Sequence, residues 1–217
     1  MDDYAGMRTQ ASRQGLFETP IVVSKLTDGD NFIRDLRAII LDKRSGDPGI
    51  GRSNVGGWHS DVDMLSWGGA PALKLAEIAI AIARRMSAFP GASHDDYHWV
   101  CQMWANVSGH GASNHLHLHP ANLWSGACYV DMGGAEDDPA LGGAFYFEDP
   151  RFPLPVMHNT RFRFVGADGQ AMPLMPEVGT KPGDILMFPA WLKHGVKPYV
   201  GDGLRISVAF NIDAILK

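Results

Sequence analysis

The chain has 217 residues, 24 of them acidic and 19 basic, for a formal net charge of -5. That balance excludes a protein whose main task is gripping nucleic acid or an anionic membrane, and leaves small molecules and proteins as partners. A hydrophobic fraction of 45% with 20% charged residues excludes a disordered chain and supplies a sizeable core, so the length predicts one domain over 1–217.

The opening MDDYAGMRTQ is acidic and polar, unlike a secretory signal, and no apolar run approaches a bilayer span. Both features predict a cytoplasmic protein with no membrane partner. LFETPIVV (16–23) reads as a strand interrupted by Pro20, which places it at a sheet edge because proline cannot donate to a ladder. In NFIRDLRAIILDK, Phe32, Ile33, Leu36, Ile39 and Ile40 recur at helical spacing, and SGDPG ends the helix. Pro71 opens a second helix, PALKLAEIAIAIARRM, with Leu75, Ile78, Ile82 and Met86 on its predicted apolar face. Both helices read as scaffold.

Beyond Pro90 the period changes to strands: HWVCQMWANV, NHLHLH, SGACYVDM, GGAFYFED, GDILMFPA and RISVAFNID, separated by Gly, Pro and Asp. This spacing predicts a sandwich or barrel. Cys101 and Cys128 fall inside such runs and read as buried free thiols. Two connections stand out: the acidic MGGAEDDPALGG, and a Pro-rich run from Pro150 to Lys181 that contains a strand-like RFRFV. Long loops on a β scaffold carry specificity.

Three of the nine histidines lie in NHLHLHP (114–120). Side chains alternate faces along a strand, so His115, His117 and His119 point one way and two neighbours can bite one metal ion; a polar stripe on a half-exposed wall is the bland alternative. A third ligand has to come from another strand, and His194 in FPAWLKHGV follows an apolar strand and a turn. Arg205 opens RISVAFN, where Arg205, Ser207 and Ala209 share one face and Ile206, Val208 and Phe210 the other. An arginine among small residues reads as an anion contact, the alternative being a surface ion pair.

The order HLH, SGACYV, GGAFYFEDPR, KPGDILMFPAWLKHGV and RISVAFN resembles the Fe(II)- and 2-oxoglutarate-dependent dioxygenase superfamily. In particular it is similar to a subgroup of 2-oxoglutarate and iron oxygenases that also shares LFETPI and NVGGWHS. The resemblance covers most of the chain and is more specific in the C-terminal half. It implies a mainly β fold, a double-stranded β-helix (jelly roll, cupin-like) over about 96–213, with the strand and helices of about 16–95 packed outside.

The same resemblance implies the site. The family's proximal motif is His, any residue, then Asp or Glu, and HLH occupies its place, so His117 matches the first ligand and His119 stands where the carboxylate should be. His194 matches the distal histidine. Arg205 and Ser207 match the pattern that holds the far carboxylate of 2-oxoglutarate, Tyr129 matches a tyrosine that helps, and Asn106 is a candidate for the cosubstrate's other end. The implied cofactors are Fe(II), 2-oxoglutarate and dioxygen.

Several alternatives stay open at this point. A second register uses His115 and His117 as ligands, leaving His119 as a neighbour. HSD at His59 to Asp61 fits the proximal pattern literally but lies far upstream of the aromatic strand. Trp58 and His59 read as packing or as a substrate entrance, and Trp191 as packing before platform. The acidic loop at 131–142 suggests cationic substrates or simply a solvated surface. The expected function is a hydroxylase-type oxygenase of a small molecule or peptide. Its rivals are a cupin-like metal enzyme without 2-oxoglutarate and a non-catalytic metal-binding module.

Overall fold

A computed structural model describes residues 6, 8, 10, 12, 14–153 and 157–217. The chain runs β1 (Val22–Lys25), α1 (Asp30–Gly46), β2 (Asn54–Val55), β3 (Trp58–His59), α2 (Met64–Trp67), α3 (Gly69–Met86), β4 (Tyr97–Ser108), β5 (Ser113–His117), β6 (Trp124–Met132), β7 (Phe145–Phe147), β8 (Glu177–Val178), β9 (Asp184–Pro189), β10 (His194–Val196) and β11 (Arg205–Leu216). Two antiparallel sheets result, one in the order β1-β9-β6-β11-β4-β3 and the other β2-β5-β10-β7-β8. This is the expected jelly roll with helices on its outside. Strand β1 sits at a sheet edge as expected, but it begins at Val22, so Pro20 and the rest of LFETPI precede the strand rather than interrupt it.

Alternation along the central strands separates two apolar layers. Ile206, Val208, Phe210 and Ile212 of β11, with Met103, Ala105 and Val107 of β4, bury against the helices. Ala127, Tyr129 and Met132 of β6 turn the other way, onto Phe145, Phe147, Leu186 and Phe188 between the sheets. One irregularity interrupts this pattern: Ser207 pairs with Tyr129 but Ile206 with Asp131, so β6 carries an extra residue at Val130. This β-bulge leaves Met132 opposite Arg205 and turns Asp131 outward, where its Oδ2 accepts from Arg37 Nε of α1 at 2.8 Å.

Helix α3 begins two residues before Pro71 and presents a different stripe from the expected one. Ala72, Leu75, Ala76, Ala79 and Ala83 are buried against the sheet, Ile78 and Ile82 are only partly buried, and Met86 is exposed. Small side chains let the helix approach the flat face of the sheet closely, which moves the branched residues to its flanks.

Three other expectations fail. The RFRFV segment forms no strand: Phe162, Phe164 and Val165 are exposed, and a single bridge joins Val165 to Ala171 across a tight turn. Residues 154–156 of the same Pro-rich run lie outside the described residues, as does part of the opening MDDYAGMRTQ. Strand β5 ends at His117, so the expected strand NHLHLH stops two residues short and leaves His119 outside it. Of the cysteines, Cys128 is buried and Cys101 only half so, and both are free thiols. No helix among the described residues is long and apolar enough to cross a membrane.

Candidate metal and anion site

His117 closes β5 and pairs in register with His194, which opens β10. His119 lies two residues past the strand, anchored by its N–H on Ala190 O at 3.0 Å. Leaving the strand at that point swings His119 toward the other two. The three imidazoles offer ligand atoms all within 4.8 Å of one another, and their ring centroids are 4.4 to 5.1 Å apart. Backbone carbonyls fix two of the rings: His117 Nδ1 donates to His115 O at 2.6 Å and His194 Nδ1 to Leu192 O at 2.9 Å. A proton held on Nδ1 leaves the Nε2 lone pair free for a metal. Beside His119 Nδ1, at 3.5 Å, stands the amide of Asn211, whose Oδ1 accepts from Ser125 Oγ at 2.7 Å.

Burial disfavours the charged form of all three rings. It pulls His194 down to about 3 and His119 to about 4, with the neighbouring imidazoles adding to the shift, and it lowers His117 as well. The cluster is therefore neutral at pH 7, the protonation state that metal ligation requires.

Below the histidines the cavity-facing residues of three neighbouring strands form rows. Asn106, Ser207 and Tyr129 make one row across β4, β11 and β6, and Ser108, Arg205 and Met132 make the next. Ala127 and Ala209 line the cavity between these rows and the histidines. Small side chains there leave an open volume of about 530 Å³, walled on one side by His59 stacked on Trp104 at 5.7 Å.

Arg205 is only 3% exposed, with its guanidinium carbon 5.4 Å from the centre of the Tyr129 ring. Arg205 Nε and the Tyr129 hydroxyl are buried without hydrogen-bond partners. Two orphaned donors cost stability unless a ligand satisfies them, and both suit a carboxylate. Burial lowers the guanidinium's pKa, opposed by Tyr129, and pushes the Tyr129 hydroxyl up to about 12, so it stays a donor. Gly143 passes directly over this arginine: at its φ of +70 a Cβ would lie 3.0 Å from Arg205 Cδ, so only glycine fits without displacing the side chain.

The structure thus gathers His117, His119, His194, Arg205, Ser207, Tyr129 and Asn106 around one cavity. His115 is exposed at its edge and outside the three-histidine cluster. His59 is buried in the wall, whereas Asp61 is exposed and lines nothing there, so the HSD pattern does not form a ligand pair. Trp58 donates to Asp47 O at 2.9 Å and packs against the helical layer. Trp191 is 53% exposed and absent from the cavity wall, neither packed nor a platform. None of residues 131–142 reaches the cavity, which removes the basis for a cationic substrate. Sequence reasoning missed Asn211, Ser125 and Arg52. Asn211 and Ser125 share the strand parity of Arg205 and Tyr129, a signal that was available; Arg52 lies in a loop and gave none.

Residues 102–211 match the family model described as "Putative 2OG-Fe(II) oxygenase". No curated protein matches the chain. Among solved structures, the prolyl hydroxylase of Trichoplax adhaerens, in complex with a hypoxia inducible factor peptide, is 11% identical with a TM-score of 0.61, over 89% of this chain and 83% of that one. HygX of Streptomyces hygroscopicus, with nickel and 2-oxoglutarate bound, is 14% identical at 0.60, over 90% and 83%. A prolyl-4-hydroxylase of Pseudomonas putida is 14% identical at 0.56, over 89% and 91%. At such identities these likenesses speak for the fold.

Proposed function

This chain belongs to the 2OG-Fe(II) oxygenase family, and on that premise we propose that His117, His119 and His194 hold the iron while Arg205 holds 2-oxoglutarate. It is an Fe(II)- and 2-oxoglutarate-dependent oxygenase of the hydroxylase type, with dioxygen as cosubstrate. The observation that carries the site assignment is the pairing of three neutral imidazoles with two buried, unpartnered donors across one cavity. Imidazole nitrogen suits ferrous iron, and three protein ligands leave coordination positions open. His119 replaces the carboxylate expected in the proximal motif, so the protein itself offsets none of the metal's charge.

When bound, iron and 2-oxoglutarate supply the oxidising power: the cosubstrate loses carbon dioxide and becomes succinate, and of the two atoms of dioxygen one enters succinate and the other a substrate C–H bond. The protein's own groups bind and orient. The Arg205 guanidinium pairs with the far carboxylate, and the Tyr129 O–H donates to the same group. Ser207 and Asn106 share the row of Tyr129, one step from Arg205 toward the histidines, and Asn106 hydrogen-bonds the cosubstrate nearer the metal. Ala127 and Ala209 leave the lane open between the two ends. Phe145 and Phe188, ringed around His194, keep water from that imidazole.

We place the protein in a reducing compartment, the cytoplasm, on the strength of its two free thiols, and assign it a small-molecule or peptide substrate. The test loads the protein with Fe(II) without air, measures 2-oxoglutarate binding by calorimetry, then admits oxygen and assays succinate. Binding followed by succinate release is expected. Neither binding nor succinate overturns the reading, and metal-dependent activity without 2-oxoglutarate points instead to a cupin-like enzyme.

A further inference from the structure

The cavity wall contains Arg52, Arg205 and four histidines besides His59, and no aspartate or glutamate among the described residues. Arg205 faces the floor, where the proposed cosubstrate carboxylate lies. Arg52 is exposed where the cavity meets solvent, and its guanidinium has no hydrogen bond or ion pair among the described residues. Its backbone is not loose. Arg52 N–H donates to Asn54 Oδ1 at 2.7 Å, the adjacent Ser53 O accepts from His115 N at 2.9 Å, and Ser53 Oγ is 3.3 Å from His117 Nε2. The arginine therefore rises from a segment tied to the metal-ligand strand, within reach of whatever lies above the histidines. Asp61, the acid whose field reaches His59, holds its carboxylate to Val62 N at 2.7 Å, away from the cavity.

A count of charges points the same way. Ferrous iron brings two positive charges and 2-oxoglutarate two negative ones. Arg205 adds one positive charge, and in the family's usual arrangement the ligand carboxylate cancels it. Here His119 supplies no charge, and Arg52 adds another positive one. The loaded site is left with two uncompensated positive charges in a partly desolvated cavity, which favours an incoming anion.

We propose that the primary substrate carries a carboxylate, which Arg52 binds at the cavity mouth, setting which carbon faces the metal. This rests on the 2-oxoglutarate reading of the site. A single guanidinium suits a monoanion, because a planar fork meets a carboxylate through two parallel N–H···O bonds. The same guanidinium repels an amine, which excludes lysine-like or polyamine substrates.

The experiment uses protein loaded with redox-inert Mn(II) and saturated with 2-oxoglutarate, so that the floor is occupied. Hexanoate, hexanamide and hexylamine are titrated in turn by calorimetry and ligand-observed NMR. Hexanoate is expected to bind about tenfold tighter than hexanamide, the size of one charge-assisted hydrogen bond, and hexylamine not to bind. Arg52→Met should erase the difference between acid and amide, and Arg52→Lys should retain part of it. Equal binding of acid and amide, tighter binding of the amine, no binding of hexanoate, or a preference that survives Arg52→Met each overturns the proposal. The 2-oxoglutarate titration that precedes the probes separates the two readings: failure there removes the oxygenase assignment, whereas success there with no acid preference removes only the role of Arg52.

Discussion

The two sides of β11 make opposite demands on one strand. Toward the helices, Ile206, Val208, Phe210 and Ile212 are all fully buried in an apolar layer whose members satisfy one another. Toward the cavity, Arg205, Ser207 and Asn211 are nearly as buried but polar, and Arg205 keeps a donor unpaired. The first side contributes stability from contacts already made. The second holds polar groups ready for contacts that only a ligand completes, and does so at a cost in stability. Burial alone therefore says nothing about which residues keep the protein folded.

Substitutions on the two sides test that division. Phe210→Ala, which empties a fully enclosed ring site, should cost about 3–5 kcal/mol in urea unfolding, with 2-oxoglutarate affinity unchanged in the folded fraction. Arg205→Met should behave in the reverse manner. Affinity for 2-oxoglutarate should fall about a hundredfold in calorimetry, while the unfolding midpoint of the ligand-free protein holds or rises because an unpaired buried cation is gone. A large loss of stability in this variant would break the comparison.

Acid sharpens it. His119 and His194 stay neutral in the folded chain down to about pH 4 and 3 but protonate near 6.5 when unfolded. Below pH 6.5 the unfolded chain therefore binds more protons. The stability that the histidines confer is complete above 6.5 and is lost as pH falls toward 4, at up to about 1.4 kcal/mol per pH unit for each imidazole. Thermal unfolding of metal-free protein across this window should show that slope, and His119→Gln should reduce it by one group's share. The smallest effect concerns Ser125, whose hydroxyl fixes the Asn211 amide beside His119. Ser125→Ala should cost about 1 kcal/mol of stability and weaken metal binding about tenfold, read by competition with a coloured chelator.

The long strands and α1 were legible because apolar residues recur at a clear period over many positions; β11 even announced which face carried Arg205. Among the strands of two or three residues, β7 was visible in the FYF of GGAFYFED, whereas β2, β3, β8 and β10 show no period, and β10 nevertheless carries His194. RFRFV alternates as a strand does but finds no partner to pair with, a tertiary fact no local pattern holds. The buried face of α3 follows closeness of approach, through Ala72, Ala76, Ala79 and Ala83, rather than hydrophobic size, which a pattern of large apolar residues does not reveal. In the site, the residues within the HLH, HGV and RISVAF segments were findable, whereas the reach of Arg52 depends on β2 docking beside β5 across about sixty residues of chain.

The extra residue at Val130 acts as a change of phase. With an unbroken ladder below the Ser207 and Tyr129 pair, Arg205 would stand opposite Asp131, and both side chains would face the cavity. A carboxylate from the protein itself would then occupy the guanidinium, and the anion site would be self-occluded. The single inserted residue reverses the parity of β6, sends Asp131 out to Arg37 on α1, and brings Met132 in beside the arginine. Vacancy at the floor of the cavity is thus encoded by chain length, one residue in a strand, as much as by any side chain that lines it.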